Sequence, residues 1–292
     1  MSAPTRDVRS IRREARAKIN VFLRVRGERE DGYHDIESLV LPISLADLVT
    51  VRPSAKLRVV VRDESSLASD VPVGGLNLAL VAALALADDC PDAAGALIEI
   101  DKRIPVAAGL GGGSADAAAT IDALNELWGC GADTATIDGL CERLGSDVPA
   151  LRAGTPVTIA GRGERLEVAE VAPLHWVLVR FGFGVRSPDA YRWWDEDGGR
   201  VGPDPRPLLS AAAAGEPELL GPLLFNDLEP SVVKRHPEVG RTKRRLIHDG
   251  ALGAVMSGSG SSVVGLARDP EHAEALAARI DGATAVVGPP PA

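Results

Sequence analysis

Residues 105–129 read PVAAGLGGGSADAAATIDALNELWG. Four glycines in five residues (Gly109, Gly111, Gly112 and Gly113) run through Ser114 into an alanine-rich stretch. There Ile121, Leu124 and Leu127, with Trp128, recur at helical spacing. The pattern predicts a glycine loop opening directly into a helix over Ser114–Trp128. A helix N-terminus presents unpaired N–H groups and a partial positive charge, which suits a phosphate. Glycines let oxygen atoms come close, and Ser114 adds a hydroxyl. The loop lacks the lysine of GxxxxGK[ST], and Ser114 stands where the dinucleotide fingerprint needs its third glycine. A turn serving only tight packing is the alternative; phosphate binding is the favoured reading.

Around this loop, helical and strand-like segments mix without strict βαβ alternation, which points to an α+β fold. Upstream, Lys18–Val25 and the stretches Leu48–Pro53 and Leu57–Arg62 read as strands, behind a polar arm of about fifteen residues. Asn77–Ala87 reads as a helix with Asn77 as N-cap, and Ala96–Ile100 as the strand feeding the loop. Downstream, a short helix is expected over Thr136–Leu144, strands at Pro156–Ile159 and Trp176–Arg180, and a surface loop over Asp195–Pro207. Two helical stretches in Pro230–Asp249, a strand at Ala254–Met256, a helix over Glu271–Ile280 and a disordered GPPPA tail complete the reading. A division into residues 1–165 and 166–292 is expected.

The 292 residues suffice for one large or two medium domains, and 45% apolar with 25% charged residues is ordinary globular composition. A net charge of −9 argues against a general nucleic-acid binder, which needs a basic surface. No apolar run approaches the ~18–20 residues of a membrane span, and the N-terminus lacks a signal-peptide apolar core. A cytoplasmic protein is expected. Cys90, Cys130 and Cys141 fit no CxxC pattern and read as buried, reduced thiols. The five histidines form no zinc motif.

Four other stretches carry candidate chemistry. A second glycine cluster, MSGSGSS at 256–262, could supply a second backbone wall around one polyanion. In GSDVP, Asp147 sits in a turn before a proline; from that segment alone it reads as an Asx-turn or cap. In AKIN, Lys18 and Asn20 share one side of a strand by period two. Lys18 either meets an anion there or snorkels to water at the strand end. Tyr33 and His34 follow the Asp31-Gly32 turn, and the other of the two tyrosines, Tyr191, lies in FGFGVRSPDAYRWWD. Such aromatics can sandwich a base or anchor a core.

PVAAGLGGGSADAA resembles the signature loop of the kinases grouped as galactokinase, homoserine, mevalonate and phosphomevalonate kinases. AKINVFLRVRGEREDGYHDIESL, GSDVP, NDLEP and MSGSGSSV follow in the order of one branch of that group, from about Ala15 to Leu266. The resemblance implies a two-domain α+β fold with its site in the interdomain cleft. It also implies an enzyme that moves the γ-phosphoryl group of ATP, with Mg²⁺, to the tertiary 2-hydroxyl of a cytidine diphosphate alcohol. That step belongs to the non-mevalonate route to isoprenoids.

Carried over by position, the resemblance makes Asp147 the catalytic carboxylate, Lys18 its partner and Asn20 their support. The loop Pro105, Val106, Ala107, Ala108, Gly109, Leu110, Gly111, Gly112, Gly113, Ser114 and Ala115 would hold the ATP phosphates, with Asn77 and Lys102 near the nucleoside. Tyr33, His34, Ser187 and Tyr191 would hold the cytidine. Arg152 stands where the family usually has a bulky apolar residue. No metal ligand, oligomeric state or role for Trp193 and Trp194 follows. The competing readings are a homoserine- or mevalonate-type kinase, a dinucleotide-dependent oxidoreductase, and a nucleotide-binding regulator without catalysis.

Overall fold

The computed structural model describes residues 10–63 and 77–291. Its first sheet is built around two long antiparallel strands, β1 (Ile11–Glu28) and β2 (His34–Pro53). The two ends of β2 pair with different neighbours. Residues 48–53 run against β4 (Ala96–Lys102), which carries β3 (Arg58–Asp63), and residues 36–40 run against β5 (Val157–Gly161), which carries β6 (Arg165–Val168). The sheet is closed on its other side by β8 (Phe225–Asn226), parallel to β1, so a segment from late in the chain completes it. The polar arm expected up to residue 15 is in fact strand from Ile11. Ile11 and Ala15 are buried while the charged residues between them face outward, an alternation too diluted by arginine to read as a strand.

The second sheet is four antiparallel strands in the order β11 (Ala283–Gly288), β7 (Leu174–Val179), β10 (Val263–Ala267) and β9 (Gly253–Met256). β11 takes in Gly288, the first residue of the tail expected to be disordered; Val286 is buried and the strand pairs along β7.

Helices α1 (Leu78–Asp88), α2 (Gly112–Trp128), α3 (Thr134–Leu144) and α4 (Val148–Ala153) belong to the first sheet's side of the molecule. α2 packs on β1 and β2 and against α1 and α4. α5 (Ser187–Glu196), α6 (Arg206–Ala214) and α7 (Pro217–Leu220) follow β7. α8 (Glu229–Arg235), α9 (Pro237–His248) and α10 (Pro270–Ala277) complete the set, with α9 and α10 lying on the second sheet. The loop expected over Asp195–Pro207 is shorter than that, because α5 ends at Glu196 and α6 begins at Arg206. Pro188 and Pro207 stand in the first turns of these helices, where a missing N–H costs nothing.

One core lies between the two sheets: Ile19, Leu39 and Leu41 from the first meet Trp176, Leu178 and Val264 from the second. The tandem tryptophans divide by role. Trp194 is buried and fills the space beside Gly199, whereas Trp193 carries the Arg235 guanidinium on its ring.

The cysteines overturn the reduced-thiol expectation in part. α1 and α2 lie side by side with their C-terminal ends together, which brings Cys90 and Cys130 to a Cα separation of 5.2 Å and joins them as a disulfide. Separation along the chain gave no sign of this. Cys141 is free and buried, as expected, and burial pushes its thiol up to about 11.

Candidate active site

The sheet and helices converge on a cleft of about 790 Å³. Four helices start at its wall: α1 and α4 bring their N-cap residues Asn77 and Asp147 to it, and α2 and α5 their first residues Gly112 and Ser187. Unsatisfied N–H groups at helix starts give the cleft positive potential inside a chain of net charge −9. The expected phosphate loop joins β4 to α2 along this wall. Pro105, Val106, Ala107, Ala108, Gly109, Gly111, Gly112, Gly113 and Ser114 line the cleft. Leu110 and Ala115 do not; their side chains are buried in the core, and Leu110 contributes its carbonyl to the Lys18 amide at 3.0 Å.

The glycines have separate reasons to be bare. A Cβ on Gly109 would sit 2.0 Å from the Ser257 carbonyl, and its φ of +76° disfavours any side chain. A Cβ on Gly112 would press on Ile104 and the Lys102 ammonium. Only Gly113 opens onto empty space. Much of the loop is therefore stripped to let protein in, and at Gly109 that protein is the strand-to-strand turn 257–262. Ser257 donates its hydroxyl to the Gly109 carbonyl at 2.9 Å, and the Ser262 amide donates to the Ala108 carbonyl at 3.1 Å. Gly258 and Ser259 of this turn also face the cleft, so the two glycine clusters do form adjoining walls.

Lys18 and Asn20 project together from β1, between register shifts that interrupt its ladder with β2. The Lys18 ammonium donates to Asn20 Oδ1 at 2.6 Å and to the Gly109 carbonyl at 3.0 Å. It lies 3.7 Å from Asp147 Oδ2, with the lysine side chain only 4% exposed and the carboxylate 38% exposed. Lys18 thus meets an anion and does not snorkel. Asn20 is itself held by donating to the Ser38 hydroxyl at 2.8 Å. Asp147 occupies the N-cap position of α4, yet its side chain makes no capping hydrogen bond. The cap reading of its segment gives the right place and the wrong use.

Lys102 lies in a second buried charge cluster that sequence reading missed. Its ammonium donates to Asp47 Oδ2 at 2.5 Å and Asp116 Oδ2 at 2.8 Å. Asp47 also accepts the backbone N–H groups of Arg103 and Ile104. Burial works against the Lys102 charge, but Asp116 and Asp47 outweigh it and raise its pKa. Burial, helped by Asp47 and opposed by Lys102, raises Asp116 to about 7. Asp116 Oδ1 is buried without a hydrogen-bond partner among the described residues. An aspartate in an otherwise alanine-rich helix turn was the available signal. Asn77 behaves as expected, capping α1 by accepting the Ala79 amide at 3.1 Å.

At the far end of the cleft, the β1–β2 hairpin presents Tyr33 and His34 toward α5. His34 stacks on Tyr191, with ring centroids 4.8 Å apart, and Tyr33, 58% exposed, carries the Arg162 guanidinium over its ring. Burial, then the charge of Asp147, raises the Tyr191 pKa above its ordinary value. The Ser187 hydroxyl donates to Ser259 at 3.2 Å across the cleft wall. Arg152 turns away, pairing with Asp122 and Asp138.

This arrangement has relatives. Residues 77–155 match the family described as GHMP kinases N terminal domain, and residues 208–285 match GHMP kinases C terminal. The 4-diphosphocytidyl-2-C-methyl-D-erythritol kinase of Pelotomaculum thermopropionicum is 44% identical over 91% of this chain and 92% of its own length. The chain belongs to the 4-diphosphocytidyl-2-C-methyl-D-erythritol kinase family. The family member of Symbiobacterium thermophilum is 40% identical over 91% of this chain and 94% of its own. The crystal structure of a 4-(cytidine 5'-diphospho)-2C-methyl-D-erythritol kinase superposes with a TM-score of 0.81 at 36% identity, covering 96% of this chain and 100% of that one. A mevalonate kinase from L. major, 18% identical with a TM-score of 0.67 over 100% of both chains, shares the fold of this kinase family. Membership of a kinase family leaves no place for the oxidoreductase reading. Among the described residues no helix is long and apolar enough to cross a membrane.

Proposed function

We propose that this chain is the ATP-dependent kinase that phosphorylates the 2-hydroxyl of 4-diphosphocytidyl-2-C-methyl-D-erythritol, in the cytoplasm, on the non-mevalonate route to isoprenoids. The observation that carries this reading is the placement of Lys18 and Asp147, 3.7 Å apart, in the same cleft as the start of α2. Phosphoryl transfer needs mainly positioning and charge stabilisation. In this reading the N–H groups at Gly112–Ser114 and the α2 dipole hold the β- and γ-phosphates. Asn77 and Lys102 flank the nucleoside. Asp147 orients the acceptor hydroxyl and takes its proton as the bond to phosphorus forms. Lys18, fixed by Asn20 and Gly109, offsets charge on the migrating group. Tyr33, His34, Ser187 and Tyr191 hold the cytidine. The division at about residue 165 belongs to the same reading, with the cleft between the two parts.

Among the described residues no cluster of three or more His, Cys, Asp or Glu side chains could cage a metal ion. This fits a Mg²⁺ that arrives with the nucleotide, since that ion needs only one or two protein ligands beside phosphate oxygens and water. Ser114, facing the cleft, would be one ligand; the ion would neutralise phosphate charge when bound.

The test is ATP consumption with the cytidine substrate beside homoserine and mevalonate, in wild type and Asp147→Asn. Wild type is expected to turn over only the cytidine substrate. The variant is expected to lose about 10²–10⁴-fold in kcat with the KM for ATP changed less than about threefold. Near-normal turnover in the variant overturns the role of Asp147, and turnover of mevalonate or homoserine overturns the substrate.

A further inference from the structure

Asp195 closes α5 against the β1–β2 hairpin, and neither the glycine loop nor the Lys18–Asp147 pair explains it. The plane of the His34 ring is fixed by stacking on Tyr191 and by the edge of Trp194 at 5.8 Å. In that plane, His34 Nε2 lies 3.0 and 3.1 Å from the two oxygens of Asp195. The histidine side chain is 9% exposed and the carboxylate 40% exposed. Asp195 has no competing ion pair among the described residues, because the adjacent Arg192 pairs with Asp189 and Glu196.

An ionised carboxylate only accepts hydrogen bonds, so Nε2 carries the proton. A neutral imidazole then has a lone pair on Nδ1, and that nitrogen is an acceptor. His34 lines the cleft, and its Nδ1 has no protein partner among the described residues. Cytosine presents an exocyclic amine donor on its edge, whereas a uracil-type base presents a carbonyl acceptor at the same place.

We propose that Asp195 is a positioning residue that fixes His34 as an Nδ1 acceptor, so that the pocket selects a cytosine base over uracil. This rests on the reading above that the base binds beside His34. With an amine opposite, Nδ1 gains a hydrogen bond; with a carbonyl opposite, two acceptors face each other.

Two measurements on the full-length enzyme test this. In ¹⁵N-histidine spectra of wild type, His34 is expected as the Nε2–H tautomer; a protonated Nδ1 overturns the proposal. In steady-state kinetics, wild type is expected to prefer the cytidine diphosphate alcohol over its uridine counterpart. Asp195→Asn can donate to Nε2 and release the tautomer. It is expected to reduce the cytidine-to-uridine ratio of kcat/KM by roughly 10–100-fold, with the KM for ATP within about twofold, and Asp195→Glu is expected to restore part of the ratio. An unchanged ratio in Asp195→Asn, or equal losses for both bases, overturns the proposal while the assigned activity stands. A wild type that phosphorylates neither form overturns the assigned activity and this proposal with it.

Discussion

Lys102 and Lys18 are both buried cations, yet their surroundings differ in kind. Lys18 is held by a neutral amide and a carbonyl and has its carboxylate at longer range, which leaves that carboxylate open to the cleft. Lys102 is locked between two aspartates. One consequence concerns pH. Asp116 is raised from an ordinary 3.8 to about 7, so the folded state binds a proton there that the unfolded chain has released. Its contribution to stability therefore declines as pH rises from about 4 to about 7 and is constant above that. Asn cannot titrate. The melting temperature of Asp116→Asn relative to wild type is thus expected to climb across that window and then level, as thermal unfolding over a pH series will show. Asn77 offers a plainer case: its cap is lost in Asn77→Ala, which should cost about 1 kcal/mol and lower the melting temperature by about 2–4 °C.

At the scale of elements, the joint between the phosphate loop and α2 separates packing from ligand contact. Gly109 is pinned by the Ser257 carbonyl and a left-handed φ, whereas Gly113 is helical and faces open space. Gly109→Ala is expected to destabilise the protein by more than about 1 kcal/mol and to loosen the contact between the two glycine turns. Gly113→Ala is expected to keep or raise the melting temperature, since alanine favours a helix by roughly 0.5–1 kcal/mol, while its methyl group raises the KM for ATP. Differential scanning fluorimetry beside ATP titration distinguishes the two. Comparable loss of stability in both variants would mean that Gly113 serves packing after all.

For the whole molecule, the disulfide ties together the far ends of the two helices whose near ends reach the cleft. It spans 40 residues of chain. Loop entropy of that length corresponds to about 4 kcal/mol. The urea midpoint of Cys130→Ser is expected to fall accordingly and to coincide with that of reduced wild type. The joint core between the sheets has a different consequence: β8 and β11 come from late in the chain, yet β8 completes the first sheet and β11 packs against β2. The two halves of the sequence are thereby built into one another around the cleft.

The local signals were legible where one segment carried both pattern and cause. The Gly109–Ser114 loop opening a helix, the Asn77 cap and the period-two pair Lys18 and Asn20 each follow from backbone chemistry within a few residues. The family resemblance was equally local, since it rests on short motifs in fixed order. Tertiary structure decided what depends on partners distant in sequence. It joined Cys90 to Cys130, set Asp47 and Asp116 on Lys102, and made Ser257 the reason for Gly109. It also brought Asp195 across 161 residues to His34. A side chain's periodicity shows which way it faces, but burial and charge pairing are properties of the space it faces into, and only the folded chain defines that space.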